Sequence, residues 1–262
     1  DPHGAHDLRG FTERLATAPL AADPGTRFAY DGAATEVIAR VVEVVSGESF
    51  ADFLQKRIFD PLLMPDTGFR VPHAQRHRVV DITTMDDTGH LRIADGVSAA
   101  TPGEPLRAYS SGAGGLYSTA GDYARFARML LNGGTLDGAQ LLSHASVAAL
   151  MGNQLAGVLD PPVNQFNQGE GFGLGGYVVL DPARRGQLGS VGQFGWAGAA
   201  STTFTVDPEE KLIAILLLQH LPRDDVSRDL PRISREFYNL VYGSLRRDQS
   251  VKREPAVSPP TY

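Results

Sequence analysis

The chain has 262 residues, enough for one large domain or two modest ones with a well-buried core. Its hydrophobic content of 42% and net charge of −6 are ordinary for a globular protein, and it carries no basic stripe interleaved with aromatic residues, so we expect no nucleic-acid partner. It has no cysteine, which excludes disulfides and thiol chemistry, and it has no 18-residue apolar run that would predict a membrane span. The first ten residues lack a signal pattern and an initiator methionine, so we expect a mature or cut N-terminus and assign no compartment.

The first part of the chain predicts short helices separated by turns. A helix is expected over residues 7–19, a second over 33–45 and a third over 49–59, with Gly47 ending the second as a C-cap glycine. The apolar residues of the second helix are spaced as one face: Val37, Ile38, Val41, Val42 and Val45. The spacing predicts an amphipathic helix.

The middle of the chain predicts a hairpin, a glycine-rich turn and two further helices. Residues 79–94 have the pattern of a hairpin with the sequence DDTG at its tip. The glycine-rich stretch around residue 113 leads into a helix that Thr119 can cap with Asp122 in a variant of the capping box, and Gly133 and Gly134 end that helix. Residues 143–154 predict one more short helix.

The last third of the chain changes to strands. Three segments after about residue 170 predict three antiparallel strands joined by turns, and residues 230–246 predict an amphipathic closing helix. We therefore divide the chain into a mainly helical region at 1–169, a sheet with its helix at 170–246, and a polar, proline-rich tail at 247–262 that is expected to be mobile. This order of elements is α+β.

Two stretches are candidates for chemistry. Tyr30 stands immediately before the second helix, where a tyrosine either packs its ring locally or serves as a phenolic general base beside a cation. The small residues around the single tryptophan, in QFGWAGAAST at 193–202, suit either tight strand packing or a backbone that receives substrate and donates an N–H to an oxyanion. The residues themselves leave both alternatives open.

Other catalytic patterns are missing from the sequence. The seven histidines lack HExxH or metal-like spacing, and the glycine-rich stretches match neither a dinucleotide fingerprint nor a P-loop. No G-x-S-x-G elbow is present. We expect no metal and no cofactor.

Three ordered segments together resemble one family. PGTRFAYDGAATEVIARVVEVVSG, SSGAGGLYSTAGDYARFARMLLNGG and FGWAGAASTTFTVDP are similar to consecutive blocks of class C β-lactamases and related serine esterases, within the serine β-lactamase and penicillin-binding-protein superfamily. The third block has the W-x-G form of the carboxylesterase branch. The resemblance covers most of residues 11–242 and implies a β-lactamase-like α+β fold, a helical region plus an antiparallel sheet flanked by helices.

The resemblance implies a mechanism and places residues in it. In the family the serine of an S-x-x-K motif attacks an ester or amide carbonyl and forms an acyl-enzyme, while the motif's lysine and a tyrosine handle the proton. By position Tyr30 is that tyrosine, and the N–H of Ala199 is one oxyanion donor. The positions implied to bind substrate are Asp31, Gly32, Trp196, Ala197 and Gly198.

The chain departs from the family at the nucleophile. Residues Phe53, Pro208 and Gln249 stand three positions before its three lysines, so the sequence contains no S-x-x-K. We expect the N-terminal strands and the nucleophile helix to be missing from this chain and a complementary N-terminal polypeptide segment to supply S-x-x-K. The isolated chain is then expected to be inactive.

Two further departures bear on the substrate. The family's Y-S-N is Tyr30-Asp31-Gly32 here, and Trp196 replaces the lysine of K-T-G, which removes a cation that would bind a β-lactam carboxylate. Both changes favour a small uncharged ester over a β-lactam. A D-amino-acid peptidase or an acyltransferase would use the same chemistry. The alternative to an enzyme is a non-catalytic binding protein that kept the β-lactamase fold and lost its nucleophile.

Overall fold

The computed structural model describes residues 4–155, 167–223 and 233–245, and the predicted tail at 247–262 lies outside them. Its longer helices and its strands are α1 (Leu8–Leu15), α2 (Gly32–Ser46), α3 (Phe50–Leu54), α5 (Ala120–Leu131), α6 (His144–Met151) and α8 (Ser234–Ser244), and β1 (Thr83–Met85), β2 (Leu91–Ile93), β3 (Thr135–Leu136), β4 (Ala139–Gln140), β5 (Glu170–Phe172), β6 (Tyr177–Val179), β7 (Phe194–Ala197), β8 (Thr202–Asp207) and β9 (Leu212–Leu217). The four-residue helices are α4 (Val97–Ala100) and α7 (Pro182–Arg185).

Side-chain caps fix where the helices begin. The Asp31 carboxylate accepts from the Ala33 N–H at 2.8 Å, and the Thr119 hydroxyl accepts from the Asp122 N–H at 3.1 Å, as predicted for α5. Gly47 ends α2 with a left-handed φ of 71°, which confirms the predicted C-cap. The predicted third helix is present as α3 and then widens into a π-helical turn over Gln55–Phe59.

Asp122 does more than begin α5. Its carboxylate lies inside the protein and accepts hydrogen bonds from the Asp66 N–H at 2.8 Å and from the Thr67 hydroxyl at 2.9 Å. The capping-box prediction accounted only for the Thr119 contact. The acidic side chain instead ties the proline-containing loop before the hairpin to the first turn of α5.

Five antiparallel strands form the sheet, in the order β5-β6-β7-β8-β9. The prediction of three strands was wrong because two predicted strands are hairpins. Gly175, with a φ of 104°, lies in the turn between β5 and β6, and Ser201, with a φ of 64°, lies in the turn between β7 and β8. The β1–β2 hairpin is confirmed, with Thr83 opposite Ile93.

One core cluster draws side chains from both predicted regions. It lies where α5, α6 and the segment after α3 pack on the sheet. Its buried members include Phe59, Leu62, Met64, Ala127, Met129, Leu130, Val147, Val178, Phe194, Phe204 and Val206. Burial of this apolar surface, at roughly 25 cal/mol per Å², fixes the helical layer against the strands.

Asp122→Ala should lower the free energy of unfolding by about 2 kcal/mol, because it removes the carboxylate that accepts from the part-buried Asp66 N–H and from the buried Thr67 hydroxyl. Urea unfolding followed by circular dichroism measures the loss. Asp95→Ala is the matched control, since that side chain is 86% exposed and pairs with Arg92 at the surface. Equal urea midpoints for the two variants would contradict the structural role of Asp122.

Candidate active site

Tyr30 and Trp196 meet where the start of α2 approaches the sheet. The centroids of their rings lie 5.1 Å apart with an interplanar angle of 44°. Tyr30 is 59% exposed, and its hydroxyl makes no hydrogen bond within the described residues. The fold thus brings together the tyrosine of one predicted motif and the tryptophan of another, and it leaves the phenol facing solvent.

Two phenylalanines that sequence reasoning missed hold this pair in place. Phe172 on β5 packs edge-on against Trp196 with 5.3 Å between ring centroids, and Phe28 packs against Phe172 at 4.9 Å. Phe28, Tyr30, Phe172 and Trp196 form what we call the aromatic cluster. Phe28 lies two residues before Tyr30, so the cluster fixes the segment that leads into α2 against the strands. The only sequence signal for the aromatic cluster was an aromatic residue two positions before the tyrosine.

Close packing explains the small residues around Trp196. A Cβ on Gly195 would lie 2.3 Å from the Phe204 carbonyl oxygen, and one on Gly198 would lie 2.4 Å from the Thr202 hydroxyl oxygen. A side chain at Gly195 would displace β7 from the β8 backbone, and one at Gly198 would require the Thr202 side chain to move. Tight packing therefore explains these two glycines, and the substrate-binding role of the stretch stays a prediction.

The turn after β7 presents an open backbone donor. The Gly198 N–H donates to the Thr202 carbonyl at 2.9 Å, and the Ser201 N–H donates to the Gly198 carbonyl at 3.0 Å. The N–H of Ala199 has no hydrogen-bond partner among the described residues, and Ala197, Gly198 and Ala199 are exposed. The geometry is compatible with the oxyanion-donor role that the resemblance implies for Ala199.

His220, which lies after the end of β9, forms hydrogen bonds to the same turn. Its N–H donates to the Ala200 carbonyl at 3.0 Å, and its own carbonyl accepts from the Ser201 hydroxyl at 2.9 Å. Its buried ring contacts the Thr83 hydroxyl at 3.1 Å, which links the turn to the β1–β2 hairpin. The sequence indicated only that this histidine lacks metal-like spacing.

Asp31 and Gly32 have a structural explanation in the fold. Asp31 is the N-cap of α2, and Gly32 is the first residue of that helix, where an added Cβ would meet only the Ala113 side chain at 3.5 Å. Neither contact needs a substrate. Their predicted substrate-binding role stays a prediction.

Glu36, one helical turn after Gly32, is a buried charge that sequence reasoning also missed. It is 1% exposed, accepts from the Ser111 hydroxyl and, at 2.8 Å, from the Gly112 N–H, and it lies 3.9 Å from Arg107. These contacts dock the glycine-rich turn on α2. A Cβ on Gly112 would lie 2.3 Å from the Thr35 carbonyl oxygen, so only glycine permits this approach.

The surroundings of Tyr30 differ from those of tyrosines in the core. Burial raises the pKa of Tyr123, beneath Phe204, to about 12, so that phenol cannot ionise near neutrality.

No group of three or more histidine or acidic side chains within the described residues could hold a metal ion. No helix among the described residues is both long and apolar enough to cross a membrane.

The helical layer packed on an antiparallel sheet defines a class of protein, the serine β-lactamase and penicillin-binding-protein superfamily. The chain belongs to the Beta-lactamase family, whose model matches residues 1–236. This confirms the family and the α+β fold predicted from the three sequence blocks.

Known relatives include hydrolases. The chain is 36% identical over 225 residues to protein Rv1367c of Mycobacterium tuberculosis, covering 82% of this chain and 54% of that protein. It is 30% identical over 263 residues to lovastatin esterase of Penicillium rubens, covering 90% and 62%. The solved structure of EstCE1, a hydrolase with promiscuous acyltransferase activity, is 23% identical, with a TM-score of 0.75 over 90% of this chain and 62% of that one. The chain therefore spans between half and two thirds of the length of these relatives.

Phe172→Ala should move the fluorescence emission of Trp196 to longer wavelength, because the tryptophan loses the ring that shields one edge from water. The chain has a single tryptophan, so the spectrum reports this site alone. The variant should also lose about 2 kcal/mol of stability. Phe50→Ala, which breaks the Phe50–Phe69 pair, is the matched control that should lower stability without changing emission. An unchanged spectrum for Phe172→Ala would remove Phe172 from the aromatic cluster.

Proposed function

We propose that this chain is part of a carboxylesterase-like serine hydrolase that acts on small, uncharged esters through an acyl-enzyme. The observation that carries the proposal is the contact of the exposed Tyr30 with Trp196. Ala199 lies in the turn directly after the strand of Trp196, and its N–H has no partner in the part of the chain that the structure describes. A base and an oxyanion donor must flank the reacting carbonyl in this chemistry. The family membership and the 30% identity to an esterase support the same reading.

The proposed reaction has two steps. A serine hydroxyl attacks the ester carbonyl, its proton passes to the Tyr30 phenolate, and the oxyanion is stabilised by the Ala199 N–H. The tetrahedral intermediate then expels the alcohol, which takes the proton from Tyr30 and leaves an acyl-serine. Water attacks the acyl group by the same proton transfers and releases the acid and the free serine. A phenolate near neutral pH requires a neighbouring cation, which the family's lysine supplies.

The serine and lysine of this reaction have to come from outside the 262 residues. No lysine in the sequence has a serine three positions before it. The relatives that match are longer, since the chain covers only 54% of one and 62% of another. We propose that a segment of the same protein, or a second polypeptide cut from one precursor, brings the Ser-x-x-Lys pair next to Tyr30.

The residues on the substrate side favour a neutral ligand. Trp196 stands at the position where β-lactamases place a lysine, so no cation of β7 would pair with a β-lactam carboxylate. The aromatic cluster offers apolar surface at the same place. An uncharged ester loses less hydration there than an anion would.

Intact-mass spectrometry under denaturing conditions, after exposure to a fluorophosphonate, tests the proposal on the protein expressed from the complete gene. We expect a phosphonyl adduct on a serine of a polypeptide segment that lies outside this sequence, since the probe labels activated serines. If only the 28.1 kDa chain is found and it stays unlabelled, the enzyme proposal is wrong and the protein is a β-lactamase-fold binding protein.

Tyr30→Phe should reduce ester turnover by the complete protein by about 10² or more, because the variant removes the general base. The melting temperature of the 262-residue chain should not change on the same substitution, since the Tyr30 hydroxyl makes no hydrogen bond within the described residues. Tyr242→Phe is the matched control. The Tyr242 hydroxyl donates to Asp207 at 2.6 Å at the end of β8 remote from Trp196, so this variant should lower the melting temperature and preserve turnover. Normal turnover in Tyr30→Phe would exclude the phenol from the mechanism.

A further inference from the structure

Ser201 has a backbone conformation that is rare for a residue with a side chain. Its φ is 64°, in the left-handed region where glycine is the usual residue. It is the last residue of the connection between β7 and β8, and Thr202 begins β8 directly after it. In short hairpin turns the left-handed position next to the returning strand normally carries glycine. A serine there costs free energy that glycine would not.

The Ser201 hydroxyl ties the turn to the segment after β9. It donates to the His220 carbonyl at 2.9 Å, and the His220 N–H donates to the Ala200 carbonyl at 3.0 Å. His220 is itself held in place, because its buried ring contacts the Thr83 hydroxyl at 3.1 Å. Two consecutive residues of the turn are thus hydrogen-bonded to one buried residue. A glycine would adopt the same φ as Ser201 but could not make the first of these bonds.

The conformation of Ser201 sets the direction of the Ala199 N–H through a single peptide group. The Ser201 N–H donates to the Gly198 carbonyl at 3.0 Å, which points that carbonyl into the turn. The carbonyl of Gly198 and the N–H of Ala199 belong to the same planar trans peptide, so they point in opposite directions. The Ala199 N–H is therefore directed out of the turn, where it meets no acceptor from the residues that the structure describes.

Gly198 is also held through its own N–H. This group donates to the Thr202 carbonyl at 2.9 Å. Ser201 supplies one hydrogen bond to Gly198 and directly precedes the residue that supplies the other. Rotation about the φ of Ser201 would move these two groups relative to each other, and the peptide that carries the Ala199 N–H would lose its fixed orientation.

We infer that Ser201 is a positioning residue, whose hydroxyl keeps the Ala199 N–H directed at the oxygen of the reacting carbonyl. This inference rests on the proposed function. The hydroxyl acts through the turn and needs no contact with substrate. A preorganised donor stabilises charge that develops only in the transition state, so its loss of order lowers kcat and leaves KM nearly unchanged.

Lys211 provides a matched control in the next hairpin. It directly precedes β9, as Ser201 directly precedes β8, and its φ of 51° is also left-handed. Its side chain is exposed and makes no hydrogen bond within the described residues. Lys211→Gly therefore relieves a left-handed side chain and removes no tie, whereas Ser201→Gly relieves the same conformation and removes the bond to His220.

Ester kinetics and thermal unfolding compare the two variants with the wild type, on the protein expressed from the complete gene. We expect Ser201→Gly to lower kcat for a short ester about tenfold at unchanged KM. Its melting temperature should stay within about 2 °C of the wild-type value, because relief of the left-handed conformation offsets the lost hydrogen bond. Lys211→Gly should preserve kcat and KM.

Relaxation of the amide nitrogens in ¹⁵N-alanine-labelled protein from the complete gene measures the order of the Ala199 N–H directly. The order parameter of this amide should be about 0.85 in the wild type and in Lys211→Gly, and it should fall below about 0.6 in Ser201→Gly. An unchanged order parameter in Ser201→Gly would overturn the inference whatever the turnover of that variant.

The outcomes separate this inference from the proposed function. Wild-type kcat in Ser201→Gly overturns the positioning role and leaves the hydrolase intact. A kcat that falls only together with the melting temperature assigns Ser201 a purely structural role and also overturns the inference. A wild-type protein with neither ester turnover nor a phosphonylated serine overturns the hydrolase, and the positioning role with it, before any variant is compared.

Discussion

The contact between Tyr30 and Trp196 is the interaction on which the candidate site depends. One ring comes from the segment that leads into α2 and the other from β7, so the helical layer and the sheet meet at this point. Phe172 extends the contact on the Trp196 side, and Phe28 packs in turn against Phe172. Aromatic pairs in such tilted arrangements add about 1 kcal/mol beyond the area that they bury. The position of the phenol thus follows from packing, while its hydroxyl stays open to solvent.

Backbone requirements explain much of the sequence around that contact. Gly195 permits β7 to lie directly against β8, and Gly112 permits the glycine-rich turn to reach α2. In the turn after β7 the N–H groups of Gly198 and Ser201 are hydrogen-bonded, whereas the Ala199 N–H has no partner among the described residues. A buried donor in that state would cost free energy, whereas an exposed one is available to a ligand.

Helix α2 connects the candidate site with an exposed aliphatic surface. Its first turn follows Tyr30, its inner side holds the buried Glu36, and its outer side is aliphatic. The Glu36 contacts with Ser111 and Gly112 explain why a charged residue lies inside and valines lie outside. The helix is stable in this orientation because the carboxylate is hydrogen-bonded, which removes most of the penalty for its burial.

The sequence by itself determined the family, the α+β class, the C-cap of α2 and the N-cap of α5, and it singled out the two residues that meet at the site. Local signals such as Gly47, Thr119 and the ordered motifs require no knowledge of distant contacts. Tertiary structure decided the rest. The five-strand count depended on turns at Gly175 and Ser201, and the roles of Phe172, His220 and Glu36 depended on partners far away in the chain. The period of the valines predicted an amphipathic helix but not which side faces the core, since that choice is set by hydrogen bonds from residues 75 and 76 positions away.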